Sequence, residues 1–161
     1  MSGVLQDSES AIVQIGLVVN NLNDTMALLE RLGLGPFSTF TAEHPAATVR
    51  GCQASYRVNL GIAQQGGVEL ELIEYESGTT IQKEFLDECG EGLHHILFQV
   101  KDIESTLVKM TEAGLEVLQQ DRFEGGGGLA YVSSNQLGGV VFELVQYPAH
   151  YRRGEPLVYC S

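Results

Sequence analysis

The sequence is poor in positive charge. Nine lysines and arginines stand against 21 aspartates and glutamates, which gives a formal net charge of −12 at pH 7. Nucleic-acid binding needs a basic surface that neutralises phosphates, so we expect no nucleic-acid partner. An anionic small molecule needs only a local basic group, for which Arg50 and Arg57 are candidates.

Long apolar runs and paired cysteines are missing as well. No run approaches the ~20 apolar residues that a membrane-spanning helix needs, so we expect no membrane partner. The first ten residues lack the basic start and apolar stretch of a secretory signal. The three cysteines, Cys52, Cys89 and Cys160, match no metal-binding or redox spacing. These features predict a cytoplasmic protein with reduced thiols.

What is present is the composition of a folded domain. Of the 161 residues, 43% are hydrophobic and 19% are charged. This length and balance suit one domain with a substantial core, so we expect a single domain over residues 1–161.

An internal repeat indicates that this domain contains two copies of one module. A shift of 81 residues, from position 14 to position 95, lays Gln14–Val19 over His95–Val100 without a gap. A shift of 72 residues lays Val68–Tyr75 over Val140–Tyr147. Two ungapped matches in the same order favour tandem modules rather than a chance similarity.

Each copy has the pattern of one strand, one helix and three strands. Residues 11–19 are apolar and β-branched, as in a buried strand. Asn21 then offers a helix N-cap and Gly33 a helix end, and Asp102 and Gly114 do so in the second copy. We expect an α+β fold of two βαβββ modules, with further strands near 37–42, 47–62, 68–75, 116–121, 129–133 and 140–147. The predicted divisions are module one at 11–75, a linker with a short helix at 76–92, module two at 93–147 and a tail at 148–161.

Four polar residues occupy matched positions within these apolar strands. Gln14 in the first copy matches His95 in the second, and Glu71 matches Glu143. An unpartnered polar side chain in a buried strand is unfavourable, and four at repeat-related positions predict a common site on a pseudo-twofold axis. Two carboxylates, an imidazole and an amide oxygen suit a divalent metal ion.

Other polar residues have a plainer interpretation. His94 lies on the opposite strand face from His95, so we expect a hydrogen-bonded structural role for it. His44 and Pro45 are expected in a loop, where they can line the mouth of the site. The glycine run at 125–128 lacks the lysine and the helix of a phosphate-binding loop and predicts a flexible hairpin lip.

Two segments resemble the second half of the methylmalonyl-CoA epimerases, within the vicinal oxygen chelate superfamily. They are Gly90–Ile96 (GEGLHHI) and Leu137–Val145 (LGGVVFELV), and the resemblance extends from about Ala11 to Tyr147. It implies a cupped eight-stranded mixed sheet with helices outside, a homodimer, and one divalent ion (Co, Ni, Mn or Zn). The ligands implied for that ion are Gln14, Glu71, His95 and Glu143.

The resemblance implies an enzyme and leaves more than one function open. The first is a metal-dependent isomerase or epimerase that moves a proton next to a carbonyl, with Glu143 as base, Glu71 as a second base and an acyl-CoA thioester as substrate. These epimerases usually carry histidine where this chain has Gln14. The second is therefore a glyoxalase I-type lactoylglutathione lyase, whose human-type ligand set is Gln, Glu, His and Glu. The third is a metal-free small-molecule binding or resistance protein.

Overall fold

The computed structural model describes residues 3–5, 11–152, 155 and 157–161. The prediction about the first ten residues lies largely outside them. Within the described residues no helix is both long and apolar enough to cross a membrane. The elements in chain order are β1 (Ala11–Val19), α1 (Leu22–Arg31), β2 (Ser38–Val49), β3 (Cys52–Gln65), β4 (Val68–Gly78), α2 (Ile81–Cys89), β5 (Gly92–Gln99), α3 (Ile103–Glu112), β6 (Glu116–Arg122), β7 (Gly128–Ser133), a 3-10 turn (Asn135–Leu137) and β8 (Val141–Gln146).

The eight strands form one mixed sheet that closes into a barrel. Their order around the barrel is β1-β4-β3-β2-β6-β7-β8-β5, so each module contributes one half. The halves meet at two opposite junctions. The antiparallel β1–β5 junction is long, whereas β2 and β6 pair only at Thr48 with Gln120 and Val49 with Gln119. The predicted α+β fold of two βαβββ modules is confirmed, and the short β2–β6 pairing closes the predicted cup.

Helices α1 and α3 cover the outside of the barrel and are anchored in the same way. Asn21 and Asp102 cap them as predicted, accepting hydrogen bonds from the amides of Asp24 and Ser105. A second polar residue reaches each helix start from the last strand of its own module. Those anchors are Glu74, which accepts from the Leu22 amide at 3.3 Å, and Gln146, which accepts from the Ile103 amide at 2.9 Å.

Helix α2 differs from the expectation that the helices lie outside. Ile81 packs in the cluster of the barrel interior, together with Leu97 and Tyr131. Thr80 precedes the helix but makes no side-chain cap bond. Its hydroxyl instead contacts Gln119 Oε1 at 3.0 Å, and the Ile81 amide donates to the same oxygen. The start of α2 is therefore fixed to the inner wall of the barrel.

The expected loop at His44 and Pro45 is wrong. Both residues lie inside β2, and the chain reverses later, where Arg50 and Gly51 take positive φ angles of 51° and 79°. The β2–β3 register shifts between His44 and Ala47. A bulge of this kind accommodates Pro45, which has no amide hydrogen for the ladder.

The tail adds an edge contact next to β6. Tyr159 forms an isolated bridge with Phe123 just beyond β6. The Glu124 amide donates to the Val158 carbonyl at 2.8 Å, and the Cys160 amide donates to the Arg122 carbonyl at 2.9 Å. The tail thereby holds the ring of Tyr159 against the interior clusters.

Candidate metal centre

The four candidate ligands converge on the β1–β5 junction from neighbouring strands. On β1, Gly16 pairs with both His95 of β5 and Glu71 of β4. Leu97 of β5 pairs in the same way with Gln14 of β1 and Glu143 of β8. The two sets of pairings are exchanged by the pseudo-twofold relation of the modules. Because side chains alternate along a strand, the candidate ligands share the inner face of the barrel.

Glu71, His95 and Glu143 lie within reach of a single ion. One ligand atom from each lies within 4.8 Å of the others. His95 Nε2 is 2.8 Å from Glu143 Oε2 and 3.5 Å from Glu71 Oε2. All three residues are buried, with exposures of 1% for His95, 4% for Glu143 and 9% for Glu71. The structure therefore brings together three of the four ligands that the sequence predicted.

His95 Nε2 is a buried polar atom without a hydrogen bond. The Glu143 oxygen is close enough, but no bond of acceptable geometry forms to Nε2 among the described residues. Buried ring nitrogens are rarely left unsatisfied, and an unsatisfied one needs a physical explanation. Imidazole nitrogen beside two carboxylates is a donor set that divalent ions such as zinc accept. The residues present therefore fit a metal ion.

The electrostatics of the cluster also favour a bound cation. Burial raises the pKa of Glu71 to about 8, and the Glu143 charge adds to the rise while His95 opposes it. For His95, burial alone would lower the pKa, but the negative charges of Glu143 and Glu71 outweigh burial and raise it. Two carboxylates and an imidazole in a dry interior need positive charge, which either protons or a cation can supply.

The prediction that His94 lies on the opposite strand face from His95 is wrong, because the β1–β5 register shifts at this point and the ring of His94 lies beside those of His95 and Tyr131. The Nδ1 of His94 lies 3.0 Å from His95 Nδ1, and its ring is edge-on to Phe85 and Tyr131. Burial, and next the charge of His95, lowers the pKa of His94 to about 3, so it is neutral. The Nδ1 of a neutral His94 is placed to accept a hydrogen bond from a protonated Nδ1 of His95, and this arrangement would leave His95 Nε2 free for a metal ion. The expected hydrogen-bonded role is present, and it orients a candidate ligand.

Gln14 is buried, at 7% exposure, but its visible partner is not one of the three clustered residues. Its Nε2 donates to Glu69 Oε2 at 3.3 Å. The amide oxygen is the atom suited to a cation. Glu69, whose repeat-related position in the second copy holds Val141, thus contacts a candidate ligand. Gln14 as the fourth ligand remains a prediction.

The other sequence candidates lie away from this cluster. Arg50 pairs with Glu84 at 2.8 Å, and Arg57 lies 3.5 Å from Glu43. The glycine run forms a hairpin, but a Cβ at Gly127 would lie 2.1 Å from the Gln146 carbonyl oxygen, so this segment packs closely against β8.

A cavity of about 490 Å³ opens where β5 and β8 end, and Lys101, Tyr147 and Tyr151 are among its lining residues.

Sequence reasoning missed the inner wall formed by β6 and β7. Tyr131 of β7 pairs with Glu143, and its ring centroid lies 5.3 Å from that of His95. Gln119 and Asp121 of β6 are 0% and 4% exposed. The sequence of β6, EVLQQDR, is mostly polar, so strand alternation did not single out Gln119 and Asp121, and neither residue lies in the two repeat matches.

Two βαβββ modules around a buried Glu-His-Glu cluster define a vicinal oxygen chelate fold with a candidate metal centre. Residues 13–132 match the model of the glyoxalase/bleomycin resistance protein/dioxygenase superfamily. The chain belongs to this superfamily.

Relatives and solved structures agree with this membership. The uncharacterized protein YqjC of Bacillus subtilis (strain 168) is 28% identical over 135 residues, covering 82% of this chain and 89% of YqjC. A methylmalonyl-CoA epimerase in complex with methylmalonyl-CoA and NH4+ superposes with a TM-score of 0.67 at 24% identity, covering 88% of this chain and 97% of that one. The methylmalonyl-CoA epimerase of Mycobacterium tuberculosis gives 0.62 at 16% identity, covering 92% of each chain. At these identities the solved structures establish the fold.

Proposed function

We propose that this protein is a divalent-metal-dependent isomerase or epimerase that moves a proton on the carbon next to a carbonyl. The observation that carries the proposal is His95 Nε2, buried and without a hydrogen bond between two carboxylates. We assign Gln14, Glu71, His95 and Glu143 as the metal ligands. A bound divalent ion would polarise the substrate carbonyl and stabilise the negative charge formed on deprotonation.

The carboxylates supply the proton chemistry. Glu143 is our choice of base, because it lies against His95 on the strand next to β5. Glu71 approaches the same point from the other module and is the candidate second base. Burial raises the pKa of Glu71 to about 8, so its carboxylate is a stronger base than in water.

An acyl-CoA thioester is the substrate that we propose first. Support comes from the likeness to epimerases whose structures contain methylmalonyl-CoA. The interior of an eight-stranded barrel holds one small ligand at most, so only the acyl end would reach the metal centre.

Isotope exchange tests this function. The purified protein, loaded in turn with cobalt, nickel, manganese or zinc, is incubated with methylmalonyl-CoA in deuterated water, and deuterium at C2 is followed by mass spectrometry. We expect incorporation in wild type and its loss in Glu71→Gln and Glu143→Gln. Glu74→Gln is the matched control, because Glu74 lies on the same strand as Glu71 but anchors α1 outside the barrel. Absence of exchange with every metal would rule out this substrate.

The predicted ligand set favours a second candidate, a glyoxalase I-type lactoylglutathione lyase. Glutamine, glutamate, histidine and glutamate are the donors, with Gln14 in the place where the epimerases usually have histidine. Formation of S-lactoylglutathione from methylglyoxal and glutathione, measured by absorbance, separates this candidate from the first. Equal ligand binding by chelator-treated and metal-loaded protein would instead support a metal-free binding protein.

A homodimer is part of the proposal. Ile15 of β1 and Leu93 of β5 lie on neighbouring strands and are 36% and 58% exposed, and neighbouring exposed apolar side chains are a feature of protein contact surfaces. We propose that this strip contacts a second copy of the chain. Sedimentation equilibrium should give twice the chain mass for wild type and a lower mass for Leu93→Glu, and a monomeric wild type would reject the dimer.

A further inference from the structure

A second polar cluster lies inside the barrel, at the junction opposite the candidate metal centre. His44 of β2 and Asp121 of β6 form its core, with His44 Nδ1 2.7 Å from Asp121 Oδ2. Both side chains are almost fully buried, at 4% and 2% exposure. Neither residue belongs to the repeat-matched set, so this pair has no place in the site described above.

Asp121 is held so that it fixes the orientation of His44. Its Oδ1 accepts a hydrogen bond from the Arg122 amide at 2.7 Å, while its Oδ2 faces His44 Nδ1. Each carboxylate oxygen therefore has a partner, which fixes the orientation of the group. A carboxylate at Nδ1 places the proton on that nitrogen, which leaves Nε2 with a free lone pair.

Aromatic rings hold the imidazole on both sides. The Tyr56 ring stacks on His44 with centroids 4.0 Å apart and an interplanar angle of 10°. The Tyr159 ring of the tail lies against it at 3.7 Å. Tyr56 in turn accepts a hydrogen bond from Gln119 Nε2 at 2.9 Å. The ring of His44 is therefore fixed in one orientation.

The strand order places this pair across the interior from the metal centre. In the ring of eight strands, four strands separate the β2–β6 junction from the β1–β5 junction in both directions. The pairing of β6 with β7 and of β7 with β8 places Asp121 on the same inner face as Tyr131 and Glu143. One strand separates β6 from β8, roughly 10 Å along the sheet. The charge of Glu143 acts on His44, which agrees with a shared interior.

We propose that His44 Nε2 is a second proton-transfer group of the proposed active site, facing the substrate from the wall opposite the metal, and that Asp121 positions it. This inference rests on the proposed function. Epimerisation needs an acid and a base on opposite faces of one carbon. Glu71 and Glu143 share one point, within 4.8 Å of His95, whereas His44 approaches from the other side.

The step balances without an added reactant. His44 Nε2 takes the proton from one face of the carbon, and the electron pair of the C–H bond moves onto the carbonyl oxygen. Protonated Glu143 then gives its proton to the opposite face, and the electron pair returns to form the new C–H bond. Both groups recover their protonation states by exchange with solvent, and the reverse reaction uses the same groups with exchanged roles.

Exchange measured separately for the two substrate epimers tests the inference. In a two-base site each group exchanges the hydrogen of one epimer only. We expect His44→Gln to reduce deuterium incorporation into one epimer by roughly 10²–10⁴-fold, with the other epimer changed by only a few fold. Asp121→Asn should give the same asymmetry, because an amide at Nδ1 favours the wrong tautomer. Glu43→Gln is the control and should leave both rates unchanged, because Glu43 is next to His44 on β2 but is exposed outside the barrel. Equal losses for the two epimers would assign His44 a structural role only.

A second measurement separates failure of this inference from failure of the proposed function. In zinc-loaded protein labelled with ¹⁵N-histidine, NMR reports which nitrogen of His44 carries the proton. We expect protonated Nδ1, unprotonated Nε2 and a shift of the Nε2 resonance when acetohydroxamate, a mimic of an enediolate, is added. If wild type exchanges neither epimer but this shift occurs, the proposed substrate is wrong and the position of His44 stands. A proton on Nε2, or an Nε2 resonance that acetohydroxamate does not move, would overturn the inference.

Discussion

Gly16 lies directly against the imidazole ring of His95, with no room for a side chain between them. A Cβ at position 16 would lie 2.0 Å from His95 Cε1 and 2.4 Å from its Nε2. The φ angle of Gly16 is not in the positive region, so its requirement is for space rather than for backbone freedom. The sequence of β1 is therefore fitted to the candidate ligand on β5.

We expect Gly16→Ala to displace His95 and to weaken metal binding. Overpacking of a buried position costs ~1–3 kcal/mol, so the free energy of unfolding should fall by a similar amount. Urea unfolding and calorimetric titration with zinc measure the two effects. Gly67→Ala is the matched control, since a Cβ there meets nothing within 4 Å. Unchanged zinc affinity in Gly16→Ala would mean that His95 does not hold the ion.

His94 should support metal binding without contacting the ion. Replacing His94 with phenylalanine keeps a ring against Phe85 but removes the acceptor for His95 Nδ1. Loss of such a partner typically weakens metal affinity ~10–100-fold. His94→Gln, whose amide oxygen can accept the same proton, should recover part of this loss. Equal affinity in wild type and His94→Phe would contradict the orienting role.

Removal of metal should lower stability in a way that depends on Glu143. Binding to the folded state alone contributes ~2.7 kcal/mol when free metal is 100 times its dissociation constant. For a domain of this size that corresponds to a decrease of roughly 5–10 °C in Tm on chelation. In Glu143→Gln the difference between metal-loaded and chelated protein should largely vanish. A chelator-independent Tm in wild type would count against the metal centre.

Stability should decline in mild acid because of His44. Burial, more than its contacts with Asp121 and Glu143, lowers the pKa of His44 below 6.5. The unfolded chain then takes up a proton that the folded chain resists, so this stability is present above pH ~6.5 and is lost as pH falls towards the folded pKa, with a slope of at most ~1.4 kcal/mol per pH unit.

Chemical denaturation of chelated protein between pH 8 and pH 5 measures this slope. His44→Gln, which retains a partner for Asp121, should show a shallower decline than wild type. Tyr56 and Tyr159 also face His44, and they stay protonated throughout this range because burial raises the pKa of each. Identical slopes in the two proteins would show that His44 does not titrate on unfolding.

The repeat made most of the fold predictable from the sequence. Matched Gln14 and His95, with the N-caps Asn21 and Asp102, define the register of the modules without any tertiary information. The second match, at a shift of 72 residues, located Glu71 and Glu143, and strand alternation fixes which side chains share a face. These inferences were possible because each position in one copy could be checked against its matched position in the other copy.

Features outside the repeat could not be predicted in the same way. His44 lies in a segment that is longer in the first module, and Pro45 beside it favoured a loop, whereas a bulge in β2 accommodates both residues. The pairing of His44 with Asp121 depends on closure of the barrel by two strands from different modules. The contact between His94 and His95 occurs where the β1–β5 register shifts, which strand alternation does not predict.

The position of a bound ion decides whether this chain has the chemistry that we propose. Crystals grown with cobalt and measured at the cobalt absorption edge locate the metal directly by anomalous scattering. We expect one strong peak inside the barrel at ~2.0–2.2 Å from His95 Nε2 and from oxygens of Glu71 and Glu143, with the Gln14 amide oxygen turned towards it. A peak elsewhere on the protein, or none in fully cobalt-saturated crystals, would contradict the metal centre and the isomerase built on it.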